Sequence, residues 1–183
     1  MPAPRGLVEA PGPGDASPAM RRAVLLAVLL VAACSEPPTP QPAPTPTPAP
    51  ARPPKLLQAP AGGTVAEAVT AERGGAGDDL VVVYVGAAWC EPCVAFHDAL
   101  LAGNFNADLT GVRFLEFDLD RDKARLDADG YTSRYVPLFA IPGPDGRASG
   151  RALQGGIKGP GAADNILQRL RPLIAEARAA PGA

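Results

Sequence analysis

Eleven of the 23 prolines in this 183-residue chain fall between Pro37 and Pro60, alternating with Thr, Ala and Gln, as in Pro44-Thr45-Pro46-Thr47-Pro48-Ala49-Pro50. Proline fixes φ and brings no backbone donor, so such a run builds no packed core and favours extended polyproline II. At about 3.1 Å per residue, Ser35 to Pro60 can reach roughly 80 Å, the dimensions of a tether. A folded domain is therefore expected beyond it, and a hydrophobic content of 46% is enough to give that remainder a core. With 17 Lys+Arg against 19 Asp+Glu, the chain has no cationic excess to neutralise a phosphate backbone, and nucleic acid is not expected as a partner.

Upstream of the tether, Met20-Arg21-Arg22 leads into an apolar run, Ala23 to Ala33, that ends in small residues, the pattern of a secretory signal. In a helix rising about 1.5 Å per residue this run falls well short of a hydrocarbon core of roughly 30 Å, so it is not expected to remain as a membrane span. Met1 to Ala19 show no periodicity and precede this better start, so translation is expected to begin at Met20, within a leader covering residues 1–33. Val31-Ala32-Ala33-Cys34 resembles the lipobox of bacterial lipoproteins. The resemblance implies that Cys34 is acylated and anchors the chain in a lipid membrane. Ser35, rather than aspartate, follows Cys34, which by the same resemblance implies the periplasmic side of the outer membrane.

With residues 34–62 as anchor and tether, residues 63–180 form the expected domain. Thr64 and Glu67 are spaced as a capping box opening a short helix through Ala71. Leu80 to Val85 is a β-branched apolar run of the kind found in a central parallel strand buried on both faces. A helix from the Cys90 region to about Leu101 and a strand from Val112 to Phe117 follow. Asp120 to Gly130 reads as a charged helix or loop, Leu138 to Ile141 as a third strand, and Pro142 to Gly146 as a turn into a hairpin partner at Ala148 to Gln154. Ala162 to Ala179 carries Ile166, Leu167, Leu170, Leu173 and Ile174 on one side of a last helix, which Pro172 is expected to kink or interrupt.

Of the three cysteines, lipidation would account for Cys34. Cys90 and Cys93 enclose Glu91-Pro92 at the start of a helix that follows a buried strand. A helix N-terminus offers free N–H groups and positive dipole, which stabilise a thiolate at Cys90, while Cys93 lies a turn further in. This predicts one thiol exposed for attack and a second shielded to resolve.

The sequence from about Thr64 to Ala179 resembles the thioredoxin family. Trp89-Cys90-Glu91-Pro92-Cys93 is similar to its active-site motif, and the Cys-Glu-Pro-Cys form is similar to extracytoplasmic reductases of cytochrome c maturation. Tyr135-Val136-Pro137-Leu138-Phe139 fits the place of the family's cis-proline. The resemblance implies an α/β thioredoxin fold, a central mixed sheet flanked by helices. It also implies a reversible Cys90–Cys93 disulfide, with Trp89, Glu91, Pro92, Val136 and Pro137 around it and substrate pairing to the backbone of Val136.

One departure matters. Where the family carries a buried aspartate six residues before the first cysteine, this chain has Tyr84. His97, the single histidine, is four residues beyond Cys93 and on the same helix face, and Glu116 stands on the second predicted strand. Either could handle the Cys93 proton: His97 is the first candidate, with an ordinary pKa of about 6.5, and Glu116 the second if it points beneath the pair.

No cofactor is expected. Two cysteines and His97 are one ligand short of a closed zinc site, Val94 stands where covalent haem attachment needs histidine, and Lys123 stands where the acidic run Asp118, Asp120, Asp122 would need glycine for a calcium loop. The expected activity is reduction of protein disulfides outside the cytoplasm, supplied with electrons by a membrane disulfide reductase. A disulfide oxidase or isomerase, and a soft-metal carrier binding copper through the same cysteines, are the alternatives, with a redox-inert contact domain behind them.

Overall fold

A computed structural model describes residues 52–180; the leader, Cys34 and most of the proline run lie outside the described residues. The described elements run β1 (Lys55–Gln58), α1 (Val65–Ala76), β2 (Leu80–Gly86), α2 (Glu91–Leu101), β3 (Val112–Asp118), α3 (Leu119–Ala128), β4 (Leu138–Pro142), β5 (Ala148–Gln154) and α4 (Ala162–Ala179). No helix among the described residues is long and apolar enough to cross a membrane.

The strands form one sheet in the order β1-β3-β2-β4-β5. β1 and β2 run parallel to β3 on either side of it, whereas β4 is antiparallel to β2 and β5 antiparallel to β4. β2 is the central strand, and all seven of its residues are buried. Its alternation sends Val82 and Tyr84 to one face, where Phe96 and Leu100 of α2 and Ile166, Leu170 and Ile174 of α4 complete the core. Val81, Val83 and Val85 point to the other, against Val65 and Val69 of α1 and Leu126 of α3. Helices thus cover both faces, which is why the β2 sequence is continuously apolar rather than alternating. This mixed sheet, with two helices on each face, is the thioredoxin fold.

The capping box is formed: the Thr64 hydroxyl accepts from the Glu67 N–H at 3.1 Å, and Glu67 accepts from the Thr64 N–H at 2.8 Å. The helix it opens runs past Ala71 to Ala76, through Gly74 and Gly75. Asp120 to Gly130 resolves mainly into α3, whose first turn explains the acidic run. Asp118 accepts from the Arg121 N–H and Asp122 from the Asp118 N–H, each at 2.9 Å, so these carboxylates cap a helix.

Two expectations are corrected. Lys55–Gln58, read as tether, is an edge strand in register with Arg113 to Glu116, so the sheet begins upstream of the expected boundary at residue 63. Four residues between prolines carry no strand periodicity of their own; pairing with β3 makes them a strand. Pro172 does not interrupt α4, which is continuous over 18 residues. Proline there removes the bond to the Gln168 carbonyl, and both residues lie on the exposed side, where solvent can meet that carbonyl.

Candidate active site

β2 ends at Gly86, and after Ala87-Ala88-Trp89 the chain turns into α2 with Cys90 as the N-cap. The Cys90 sulfur accepts the Cys93 N–H at 3.3 Å, as a serine or aspartate cap would, so one of the unpaired donors of the helix terminus is aimed at this sulfur. Pro92 sits in the first turn, where its missing N–H costs nothing. Cys90 and Cys93 are joined in a disulfide, with Cα atoms 5.2 Å apart.

In this disulfide form both sulfurs are shielded, Cys90 at 4% exposure and Cys93 at 2%. Ala87 packs with the pair, and the half-buried Leu119 and Val136 close over it. Val136–Pro137 is a cis peptide bond at the entry to β4, and the Pro137 carbonyl accepts from the Gly155 N–H at 2.8 Å. Among the described residues, no hydrogen bond uses the backbone N–H or C=O of Val136. A groove of about 210 Å³ runs alongside, lined by Trp89, Leu119, Ser133, Arg134, Tyr135 and Val136. Trp89 and Tyr135 stand on its rim, 64% and 65% exposed. Trp89 is held there by donating its indole N–H to Asp120 at 2.8 Å. Glu91 is turned to the opposite loop, accepting the Gly159 N–H at 2.7 Å.

A second cavity, of about 430 Å³, lies beneath the disulfide and reaches Cys93 but not Cys90; Gln58, Tyr84, His97, Glu116, Asp118 and Arg121 are among its lining residues. Tyr84 fills the family's aspartate position. Its hydroxyl donates to the Cys93 carbonyl at 3.2 Å, and its ring stacks on Phe139 with centroids 4.9 Å apart. Burial first, and the Glu116 charge second, push the phenol far above its ordinary range, so it stays protonated. Glu116 and His97 meet at 3.9 Å, Oε2 to Nε2. Burial raises the Glu116 carboxyl above the usual carboxylate range, opposed by His97, the Gln58 amide and Arg121.

Both proton-handling candidates therefore line the Cys93 side of the site. Arg121 and Gln58 are cavity residues missed by the sequence reading; Gln58, whose amide donates to Glu116, lay inside the presumed tether, and only the β1–β3 pairing brings it here. Cys90, Cys93 and His97, the ligand set of the copper alternative, do not form a metal-ligating cluster among the described residues. Cys34 lies outside them.

No protein-family model and no curated protein matches the chain. Among solved structures it is similar to spinach chloroplast thioredoxin f, with 24% identity over 68% of this chain and 88% of that one and a TM-score of 0.45. A thioredoxin of Halobacterium salinarum gives 22% identity, 71% and 96% coverage and a TM-score of 0.42. A thioredoxin of Trichomonas vaginalis gives 26%, 46% and 68%, with a TM-score of 0.36. At these scores the fold rests on the strand order, the cysteine-bearing helix and the cis-proline, and together these define a thioredoxin-like fold. A cysteine pair closed across a helix N-terminus in this fold is the arrangement of a thiol–disulfide oxidoreductase.

Proposed function

We infer that the chain is a membrane-anchored reductase of protein disulfides, held by acylated Cys34 on the periplasmic side of a bacterial outer membrane. The observation that carries the chemistry is the Cys90–Cys93 bond at the N-terminus of α2, beside a groove edged by Val136. In the reduced protein the same helix N–H groups face a Cys90 thiolate and lower its free energy. That thiolate attacks a substrate disulfide, and one substrate sulfur leaves as a thiol. Cys93 then attacks Cys90, the second substrate sulfur leaves, and the Cys90–Cys93 bond remains. The free backbone groups of Val136 suit an extended substrate segment, with Trp89 and Tyr135 offering apolar contact on either side. Because an oxidising compartment does not return the pair to dithiol, a membrane-embedded disulfide reductase is the partner this reading requires.

The test is the reduction potential of the pair in the full chain carrying Cys34→Ser, equilibrated against dithiol buffers with trapping of free thiols. A value near about −270 mV supports the reductase. One near about −120 mV makes the protein an oxidant. Failure of the pair to cycle, together with tight Cu(I) binding lost in His97→Gln, would favour the metal carrier.

A further inference from the structure

We propose that Glu116 on β3, coupled to His97 on α2, is the proton acceptor for Cys93, reached through the cavity beneath the disulfide. The proposal deepens the reading of Cys90 and Cys93 as an exchanging pair and rests on it.

Four observations converge. The cavity touches Cys93 and not Cys90, so it serves the resolving sulfur rather than the attacking one. Tyr84 on β2 keeps its own proton and already donates it to the Cys93 carbonyl, so it cannot receive another. The carboxylate that the second strand lacks is found one strand over, because Tyr84 and Glu116 are register partners between β2 and β3. His97 projects from the helix turn after Cys93 to within 3.9 Å of Glu116, a separation that a water molecule can bridge in a cavity of about 430 Å³.

The groups around Glu116 suit that task. Gln58 on β1 donates to the carboxylate, Tyr84 faces it from β2, Asp118 lies two residues along β3, and Arg121 approaches from α3. His97 has Asp98 as its other neighbour, at 3.7 Å from Nδ1. A carboxyl whose proton affinity is raised by burial accepts a thiol proton more readily than an exposed one, and the 34% exposure of the His97 side chain opens a route to solvent.

In the resolving step the Cys93 S–H proton passes to the Glu116–His97 pair as its sulfur attacks Cys90. The Cys90–Cys93 bond forms, the bond from Cys90 to the substrate sulfur breaks, and that sulfur leaves with the bonding electrons. The acceptor pair then loses its proton to solvent.

The experiment uses the reduced full chain carrying Cys34→Ser and the probe 5,5′-dithiobis(2-nitrobenzoate) in stopped flow. Attack by Cys90 releases one thionitrobenzoate, and resolution by Cys93 releases the second, so the two steps are read separately. At pH 7, Glu116→Gln is expected to slow the second release by a factor of about 10 to 100, and His97→Gln by a smaller factor, with the first release unchanged. Both deficits should vanish at about pH 9.5, where hydroxide deprotonates Cys93 directly. A second release at the unsubstituted rate in both variants at pH 7, or a deficit that persists at high pH, overturns the proposal while leaving the exchanging pair intact. Absence of a second release in the unsubstituted chain overturns the exchange reading itself, and the proposal with it.

Discussion

Tyr84 and Glu116 are register partners on the parallel strands β2 and β3, and both line the cavity beneath Cys93. The pairing brings a permanently protonated hydroxyl next to a carboxyl whose ionisation is held back by burial, so the two residues divide structural and acid–base work between adjacent strands.

That division predicts opposite effects of substitution on stability. Since the folded Glu116 carboxyl binds its proton more tightly than in the unfolded chain, its favourable contribution is present at acid pH and is lost as pH rises through the folded value. Glu116→Gln should therefore raise the melting temperature modestly at pH 7.5 and leave it unchanged near pH 3. Melts of both proteins at the two pH values check this, and a loss of stability at pH 7.5 would contradict it.

Tyr84→Phe keeps the ring stacked on Phe139 and deletes only the bond to the Cys93 carbonyl. The expected cost is about 1 kcal/mol in urea unfolding, with the fold unchanged.

Phe96 meets Tyr84, Phe114 and Phe139 with its ring strongly inclined to each, at centroid distances of 5.6, 5.5 and 4.7 Å, and it is fully buried under α2. Phe96→Ala should cost about 3–5 kcal/mol, the largest loss of these substitutions. Denaturant unfolding of the oxidised chain would show it as a lowered midpoint.

Gly146 has φ +78°, and a Cβ there would lie 2.6 Å from the Ala66 carbonyl oxygen and 2.9 Å from the Ala66 Cα. Backbone strain and a backbone clash act together, so Gly146→Ala should destabilise by more than about 1 kcal/mol. Gly150→Ala is the comparison: its φ is +83° but nothing lies within 4 Å of the added atom, so the smaller loss there isolates the strain.

Legibility in the sequence followed the strength of local signals. β2, α2, β5 and α4 stand close to where apolar runs, the cysteine pair and the turn at Pro142 to Gly146 put them. β1 was hidden because Lys55–Gln58 is short and lies between Pro54 and Pro60, so nothing local separates it from the tether. α1 outran its expected end because Gly74 and Gly75 stayed helical, and the chain leaves the helix only at Gly77, with φ +61°. At the site, the helix spacing placed His97 on the Cys93 face. That Glu116 faces His97, and that Gln58 joins them, depends on the register of three strands, which no local pattern encodes.

The position of β1 has a mechanical consequence. Any pull on the chain ahead of Arg52 is met first at Arg52, whose carbonyl accepts the Gly111 N–H at 2.7 Å and whose guanidinium pairs with Asp79 at 2.9 Å, and then at the four-residue edge strand β1, paired with β3 alone. That strand ends in Gln58, whose amide holds Glu116, so tension that passes Arg52 loads the same short ladder that fixes one wall of the cavity. Under the proposed anchoring, a domain held at the end of its reach and one lying slack would then differ at the carboxylate beneath Cys93, without any change in the sulfur pair itself.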